Sequence, residues 1–168
     1  MSETKLMALR EAVNLAMSEE MRKDENIFLM GEDVGIYGGD FGTSVGMLAE
    51  FGEKRVKDTP ISEAAIAGAA VGAAITGLDA IVNNGAKNNY MFGGGLKTPV
   101  TFRVDSGSGI GSAAQHSQSL ESWLTHIPGI KVVAPGNAND AKGLLKSAIQ
   151  DNNIVICMYP KALYGKKE

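Results

Sequence analysis

Two side chains with acid–base chemistry stand in settings that could support catalysis. Glu63 follows Pro60-Ile61-Ser62 and opens a segment that is almost entirely Ala, Gly, Ile and Val. His116 follows a glycine-rich stretch, Ser106 to Gly111. A carboxylate in the first turn of a helix is favoured by the helix-end amides and disfavoured by burial, so its protonation can be adjusted to a task. An imidazole titrates near neutral pH, which suits general acid–base work.

Both residues also have ordinary explanations. Ser62 could cap the helix and Glu63 could simply complement the helix dipole, since acidic residues are common in first turns. His116 could cap a helix or lie in a core. We interpret His126, near a predicted helix end, as structural. Cys157, within an apolar run, is interpreted as a small buried hydrophobic residue rather than a nucleophile.

The composition is typical of a globular domain and excludes several function classes. The chain has 168 residues, of which 44% are hydrophobic and 21% charged, with a formal net charge of −3. Because lysine and arginine form no basic face, neither nucleic acid nor an anionic membrane is an expected partner. No apolar run approaches the roughly 18 residues that span a bilayer. The single cysteine excludes an internal disulfide and a cysteine-based zinc cluster, and we predict a cytoplasmic location.

Hydrophobic periodicity predicts alternating helices and strands. Helices are predicted over 4–23, 47–51, 60–76, 115–125 and 139–150, and strands over 27–30, 55–59, 100–104, 131–134 and 154–158. Strands separated by helical stretches favour an α/β fold with a parallel sheet that is covered on both faces. The chain contains no linker, repeat or low-complexity tract, so residues 1–168 are predicted to form one domain.

Four long segments of the chain match one family in the same order. They are residues 58–68, 113–119, 128–135 and 140–149, and the shorter segments 31–34 and 160–164 agree as well. In these segments the chain resembles the beta subunit of the first, decarboxylating component of thiamine-diphosphate-dependent 2-oxo acid dehydrogenases, of the pyruvate or acetoin type. The resemblance covers nearly the whole chain and points to the N-terminal, transketolase-like pyrimidine-binding domain of that subunit.

The resemblance implies a three-layer α/β/α fold, the thiamine-diphosphate-binding fold, reduced here toward a flavodoxin-like sheet of five to six strands. Members of the family follow Gly77-Leu78 with a further strand and the first half of a helix, whereas here Leu78 joins Asp79 directly. The segment that is missing includes the aromatic residue that stacks on the cofactor in the family. The family's C-terminal domain, used in assembly, is not matched either.

Two interpretations of the shortened junction compete. Residues 79–87 could keep the family's helix, which would leave the sheet short of one strand. Alternatively, Ala80-Ile81-Val82 could become the strand. We favour the strand, because a short apolar run after a helix that ends at Gly77 is common in α/β domains and an empty strand position would expose the core.

The resemblance also implies site residues. Glu63 corresponds to the family's glutamate that protonates the pyrimidine ring nitrogen of thiamine diphosphate, and Ile61 is expected beside the cofactor. His116 corresponds to an active-site histidine that positions substrate and takes part in proton transfer or acyl handover. A potassium site is implied by oxygen ligands on two adjacent turns, at Thr98, Val100, Thr101, Ala148, Asp151 and Asn153.

The departures from the family shape the predicted function. The segment that binds diphosphate and magnesium belongs to the partner alpha subunit in the family, so this chain is expected to hold only the pyrimidine end of the cofactor, and magnesium only through a partner. We predict a trimmed, engineered domain with little or no turnover alone. The alternatives are a catalytic fragment that acts with an alpha subunit on a 2-oxo acid, and a flavodoxin-like or Rossmann-type nucleotide-binding module. A homodimer is a further predicted possibility.

Overall fold

The computed structural model describes residues 6–63, 65–66, 80–109, 111 and 113–166. Most of the predicted 60–76 helix and the Leu78–Asp79 junction lie outside the described residues. The described helices are α1 (Leu9–Lys23), α2 (Met47–Phe51), α3 (Ala86–Met91), α4 (Glu121–Thr125) and α5 (Ala138–Ile149), with a π-helical segment at Ala80–Gly85 and a 3-10 helix at Lys161–Leu163. Residues 63, 65 and 66 are also helical.

Five described strands form two parallel sheets. They are β1 (Leu29–Gly31), β2 (Val56–Asp58), β3 (Thr101–Ser106), β4 (Lys131–Val133) and β5 (Val155–Pro160). β1 pairs with β2, with Leu29 opposite Val56, and the second sheet has the order β3-β5-β4, with Thr101 and Lys131 both opposite Val155. The predicted α/β class with parallel pairing is confirmed. The sequence predicted one sheet of five to six strands, whereas the strands within the described residues divide into sheets of two and three.

β5 lies at the centre of the second sheet because both of its faces are apolar. Val155, Cys157 and Tyr159 belong to the main core, which also contains side chains of α1, α5 and β2. The alternate residues Ile154, Ile156 and Met158 face a second cluster with side chains of β3, β4 and α4. A strand whose two faces are both buried reads as a continuous apolar run, and helices must cover it on both sides. The result is the predicted three-layer arrangement.

Helix α1 begins at Leu9, five residues later than predicted. The Ala8 N–H donates to the Glu11 carboxylate at 3.1 Å, which satisfies one of the amides at the start of the helix. From Leu9 onward, Val13 and Met17 lie on the buried face of α1 in the main core, as the three- and four-residue spacing predicts.

The predicted strand at Ala80-Ile81-Val82 is wrong. These residues belong to the π-helical segment, which continues directly into α3. Asn and Gly at 83–85 are poor strand formers, and the Lys87 ammonium donates to the Asn83 side chain at 2.9 Å, one helical turn away. Ile81 packs against the cluster of Ile154, Ile156 and Met158. The helical residue Ile81 therefore covers apolar side chains of the β5 region that the prediction expected a further strand to cover.

The predicted 115–125 helix is also shorter than expected, because α4 covers only Glu121–Thr125. Ala113 has φ +62°, a left-handed conformation that interrupts a helix. The Gly107 N–H donates to the Gln118 carbonyl at 2.8 Å, which draws residues near 118 back to the end of β3. His116 therefore lies in a turn rather than at a helix start.

Candidate functional site

The carboxyl ends of β1 and β2 lead into the segment that contains Glu63. The Thr59 N–H donates to the Gly31 carbonyl at 2.9 Å, so the two strand ends stay paired one residue beyond β2. The Ser62 carbonyl then accepts from the N–H groups of Ala65 at 2.9 Å and Ile66 at 3.0 Å. Glu63 accordingly stands in the first turn of a helix that starts at the carboxyl edge of a parallel sheet, where α/β proteins bind ligands.

Glu63 and Ile61 face solvent in this chain. Glu63 is exposed, and Ile61 is 82% exposed, which is unusual for an isoleucine. The structure confirms the predicted helix start but shows Glu63 with a side chain that no other part of the described chain shields from water.

Two polar atoms beside this edge were not identified from the sequence. The Glu32 Oε1 and Thr59 Oγ1 atoms are buried, and neither has a hydrogen-bond partner among the residues that the structure describes. Leaving such an atom unpaired costs on the order of 1–3 kcal/mol. Glu32 directly follows β1 and Thr59 directly follows β2, so the two belong to neighbouring strand ends. The position of an acidic residue right after a buried strand was the available sequence signal.

Asp58, at the end of β2, fixes the loop that follows β1. Its carboxylate accepts from the Gly35 N–H at 2.6 Å and from the Ile36 N–H at 3.3 Å. A Cβ at Gly35 would lie 2.7 Å from Asp58 Oδ2, so the close approach of the loop requires glycine there. The Asp58 carboxylate is thus occupied by the backbone, whereas Glu32 Oε1 and Thr59 Oγ1 have no hydrogen-bond partner within the described residues.

His116 lies beyond the carboxyl end of β3, in the loop of residues 107–118. Its side chain is exposed. Among the described residues no hydrogen bond or ion pair joins Glu63 to His116. Glu63 follows β2 of the two-stranded sheet, whereas His116 lies in the loop after β3 of the three-stranded sheet.

A partly buried polar network joins Arg103 and Asp105 of β3 to Tyr164. The Tyr164 hydroxyl donates to the Asp105 carboxylate and accepts from the Arg103 guanidinium at 3.1 Å. Phe41 stacks on the Tyr164 ring with 4.7 Å between centroids and 4° between planes. Burial raises the pKa of Tyr164 above its ordinary value, so its hydroxyl stays protonated as a donor. The network joins β3, the loop at 34–44 and the residue that follows the 3-10 helix Lys161–Leu163.

Cys157 occupies the surroundings expected for a structural residue, whereas the structural role of His126 stays a prediction. Cys157 is fully buried in β5, and burial raises the pKa of its thiol to about 12. A protonated, inaccessible thiol is not a nucleophile, so the interpretation of Cys157 as a small hydrophobic residue is confirmed. His126 lies at the C-terminal end of α4 and is exposed.

The predicted potassium positions come together on two adjacent turns. The Thr98 N–H donates to the Asn152 carbonyl at 2.9 Å, and the Val155 N–H donates to the Val100 carbonyl at 3.0 Å. These bonds align the segment before β3 with the segment between α5 and β5. Of the remaining predicted ligands, Asp151 and Asn153 lie between α5 and β5, Thr101 is the first residue of β3, and Ala148 lies in the last turn of α5.

One of these positions carries an unpaired oxygen. Thr98 Oγ1 is buried without a hydrogen-bond partner among the described residues. The Asp151 carboxylate is paired with the Lys131 ammonium, which lowers the pKa of Asp151. Hard oxygen donors suit a potassium ion, and the unpaired Thr98 hydroxyl fits one. Within the described part of the chain, no group of three or more His, Cys, Asp or Glu side chains could hold a metal ion.

The fold and the strand-end site define an α/β domain of the kind that binds a cofactor at the carboxyl edge of a parallel sheet. The model of the family described as "Transketolase, pyrimidine binding domain" matches residues 5–167. The chain therefore belongs to the transketolase pyrimidine-binding domain family. This confirms the predicted family and the thiamine-diphosphate-binding type of fold.

Several relatives share much of the sequence. The chain is 48% identical over 181 residues to "Pyruvate dehydrogenase E1 component subunit beta" of Rhizobium meliloti, covering 98% of this chain and 39% of that protein. It is 45% identical over 175 residues to the mitochondrial subunit of Homo sapiens, covering 95% of this chain and 49% of that protein. The chain spans half or less of the length of these relatives. The 181-residue match is longer than the chain itself, as the predicted internal shortening requires.

A solved structure shares the fold at low sequence identity. "Split gene transketolase, inactive beta4 tetramer" matches with a TM-score of 0.68 and 18% identity, covering 92% of this chain and 52% of that one. At that identity the likeness shows the fold alone. No helix within the described residues has both the length and the apolar character to cross a membrane.

Proposed function

We propose that the chain is the pyrimidine-binding domain of a thiamine-diphosphate-dependent 2-oxo acid dehydrogenase of the pyruvate dehydrogenase type. One observation carries this proposal: Glu63 opens a helix at the strand edge where Glu32 Oε1 and Thr59 Oγ1 are buried and unpaired. Unpaired hydroxyl and carboxyl oxygens at a strand edge are the groups that the amino group and ring nitrogens of a pyrimidine would satisfy. The residues present therefore fit the pyrimidine end of the cofactor.

Each residue would have a distinct task in this site. When bound, thiamine diphosphate supplies the carbanion chemistry that cleaves the bond next to a 2-oxo group. The Glu63 carboxyl would hold the proton shared with the pyrimidine ring nitrogen, and Ile61 would cover the ring with apolar surface. Thr59 and Glu32 would pair with the remaining polar edge. His116 would move a proton at its imidazole near the substrate, since imidazole suits that exchange.

We further propose that the chain turns over little or no substrate by itself. Glu63 and His116 are exposed, whereas carboxylates that act on a cofactor work in sites from which water is excluded. A partner surface would have to cover this edge and supply the diphosphate and magnesium ligands. An alpha subunit is the partner that this arrangement fits. A catalytic fragment that becomes active on meeting such a subunit is the second candidate, supported by the same exposure of Glu63.

Further features belong to this proposal. A potassium ion between the turns that precede β3 and β5 would satisfy Thr98 Oγ1. The shared core of both sheets supports a single domain over residues 1–168. The buried, free thiol of Cys157 is compatible with the predicted cytoplasmic location. An engineered origin and a homodimer stay predictions from the sequence.

Calorimetric titration with thiamine diphosphate and magnesium tests the proposal. Without a partner we expect a Kd on the order of 1 mM or weaker, and with an alpha subunit of a pyruvate dehydrogenase we expect at least tenfold tighter binding. Glu63→Gln should abolish the gain because the amide cannot share a proton with the ring nitrogen. Glu53→Gln, an exposed site in the turn before β2, is the matched control.

Two results would contradict this assignment. Tight binding and 2-oxo acid decarboxylation by the isolated chain would overturn the claim that a partner is required. Equal cofactor affinity for wild type and Glu63→Gln in the presence of the alpha subunit would overturn the role of Glu63.

A further inference from the structure

Lys161 occupies an unusual position in the 3-10 helix that follows β5. The residue is only 9% exposed. Its ammonium donates to the His116 carbonyl and lies 3.5 Å from the Gly107 carbonyl. These two carbonyls belong to opposite arms of the 107–118 loop. A single buried cation therefore bridges the loop on which His116 stands.

Two further contacts show that the loop is closed against this helix. The Gly107 N–H donates to the Gln118 carbonyl at 2.8 Å, which joins the two ends of the loop. A Cβ at Gly109 would lie 3.3 Å from the Cβ of Ala162, so the loop packs closely on the residue next to Lys161. The loop thus rests on the 3-10 helix, and Lys161 provides the polar contact between them.

Stability alone gives little reason for a lysine at this position. A buried ammonium loses its hydration, and an apolar side chain of similar length would fill the same space without that cost. The compensation lies in charge-assisted hydrogen bonds to backbone carbonyls, which are about twice as strong as neutral ones. What these bonds add beyond packing is a fixed geometry for the loop backbone at His116.

We infer that Lys161 is a positioning residue, which holds the two arms of the loop together so that the His116 backbone, and with it the imidazole, keeps one orientation. The inference rests on the proposed function for the role of His116. It assigns to Lys161 a task that is mechanical rather than chemical, since its ammonium binds backbone oxygens and not a reactant.

Amide hydrogen exchange of the isolated full chain tests the closure without any cofactor. In Lys161→Met we expect exchange of the Gly107 and Ser117 amides, which donate to the Gln118 and Ala114 carbonyls, to accelerate at least tenfold while the amides of α1, α5 and β5 keep their protection. Lys161→Arg should restore slow exchange, because a guanidinium also donates to carbonyls. Lys54→Met, at an exposed lysine in the turn before β2, should leave the loop unchanged. Unchanged loop exchange in Lys161→Met would overturn the inference.

Steady-state kinetics with an alpha subunit test the consequence for catalysis. We expect Lys161→Met to lower kcat at least tenfold with KM for the 2-oxo acid within threefold of wild type, and Lys161→Arg to recover most of the loss. A loosened loop with wild-type kcat would overturn the positioning role. If the wild-type complex shows no turnover, the candidate function as a catalytic fragment fails, and the exchange experiment still decides whether Lys161 closes the loop.

Discussion

The ionisable side chains of Glu63 and Cys157 differ sharply in their exposure to solvent. Glu63 opens a helix at a sheet edge and faces water, whereas Cys157 lies on the inner face of β5 with no exposed surface. Tyr159, two residues further on the same face, is equally enclosed, and burial raises its pKa as well. The inner face of β5 therefore keeps its ionisable side chains protonated and neutral, whereas Glu63 at the sheet edge is accessible to solvent.

The first prediction at the residue scale concerns the reactivity of Cys157. Because burial raises the pKa of the thiol to about 12, the folded chain should react with a chromogenic disulfide at about pH 8 at least a hundredfold more slowly than the denatured chain. Release of the coloured thiolate in buffer and in denaturant measures the ratio. A thiol that reacts at equal rates under both conditions would show that β5 is not closed.

The raised pKa of Cys157 also makes the stability of the fold depend on pH. The pKa of Cys157 is raised above its ordinary value of 9.0, so the folded state retains its proton where the unfolded state would lose it. The contribution to stability is fully present below about pH 9 and is lost as the pH rises toward 12. Denaturant melts at increasing alkaline pH should therefore show falling stability, and Cys157→Ala should reduce that fall.

The sequence identified Glu63 and His116 by the residues that flank them. The structure adds the exposure and the long-range contacts of the site, which flanking residues do not determine. Exposure of Glu63 depends on which elements cover the sheet edge. The unpaired oxygens of Glu32 and Thr59 depend on the pairing of β1 with β2, which are far apart in the chain. Lys161 escaped notice because a lysine after an apolar strand is ordinary until its carbonyl partners, 45 and 54 residues away, are known.

At the element scale, the sequence located strands well and two helical segments poorly. Continuous apolar runs placed β5 and β4 to within two residues, because a buried strand needs such a run whatever surrounds it. The segment at Ala80–Gly85 is apolar enough for either structure, and the choice is made by Ile81 packing on β5. The 113–120 segment has helical propensity, but the bond between Gly107 and Gln118 holds it in a turn. Both outcomes depend on tertiary contacts.

The contact between α1 and α5 supports a prediction at this scale. Glu19 on α1 lies 2.8 Å from the Lys142 ammonium and 2.5 Å from that of Lys146, both on α5. Hydrogen bonds from these two lysines lower the pKa of Glu19. We expect Glu19→Gln to reduce the free energy of unfolding at neutral pH by about 1 kcal/mol, the upper range for pairs that remain partly exposed.

The pH dependence of that effect follows from the direction of the shift. A carboxyl with a lowered folded-state pKa stabilises the fold above its ordinary value of 4.5 and loses this contribution as the pH falls through the folded pKa. Urea melts of wild type and Glu19→Gln should therefore differ near pH 7 and converge at strongly acidic pH. Glu25→Gln, in the exposed turn after α1, is the control. A pH-independent difference would mean that Glu19 acts through packing.

At the scale of the whole molecule, one core connects the two sheets. Val56 of β2, Val13 and Met17 of α1, and Leu145 of α5 belong to the same buried cluster as the inner face of β5. α1 and α5 pack against each other, and their apolar side chains share this cluster with residues of β2 and β5. A chain built in this way should unfold as one cooperative unit, because neither sheet retains a closed core without the helices.

A substitution that leaves a cavity in the shared core tests whether the two sheets unfold cooperatively. Leu145 is 2% exposed, whereas its neighbour Leu144 on the same helix is 37% exposed. Leu145→Ala should lower the free energy of unfolding by about 3 kcal/mol, and Leu144→Ala by less than about 1 kcal/mol. Hydrogen exchange resolves the two sheets. If the core is shared, protection in β1 and β2 must fall by the same free energy as protection in β3, β4 and β5, although Leu145 precedes β5 in the chain and is more than eighty residues from β2. If protection falls only in β3, β4 and β5, the two sheets unfold independently. The sheet that carries Glu63 would then keep its order when the sheet that carries the His116 loop unfolds.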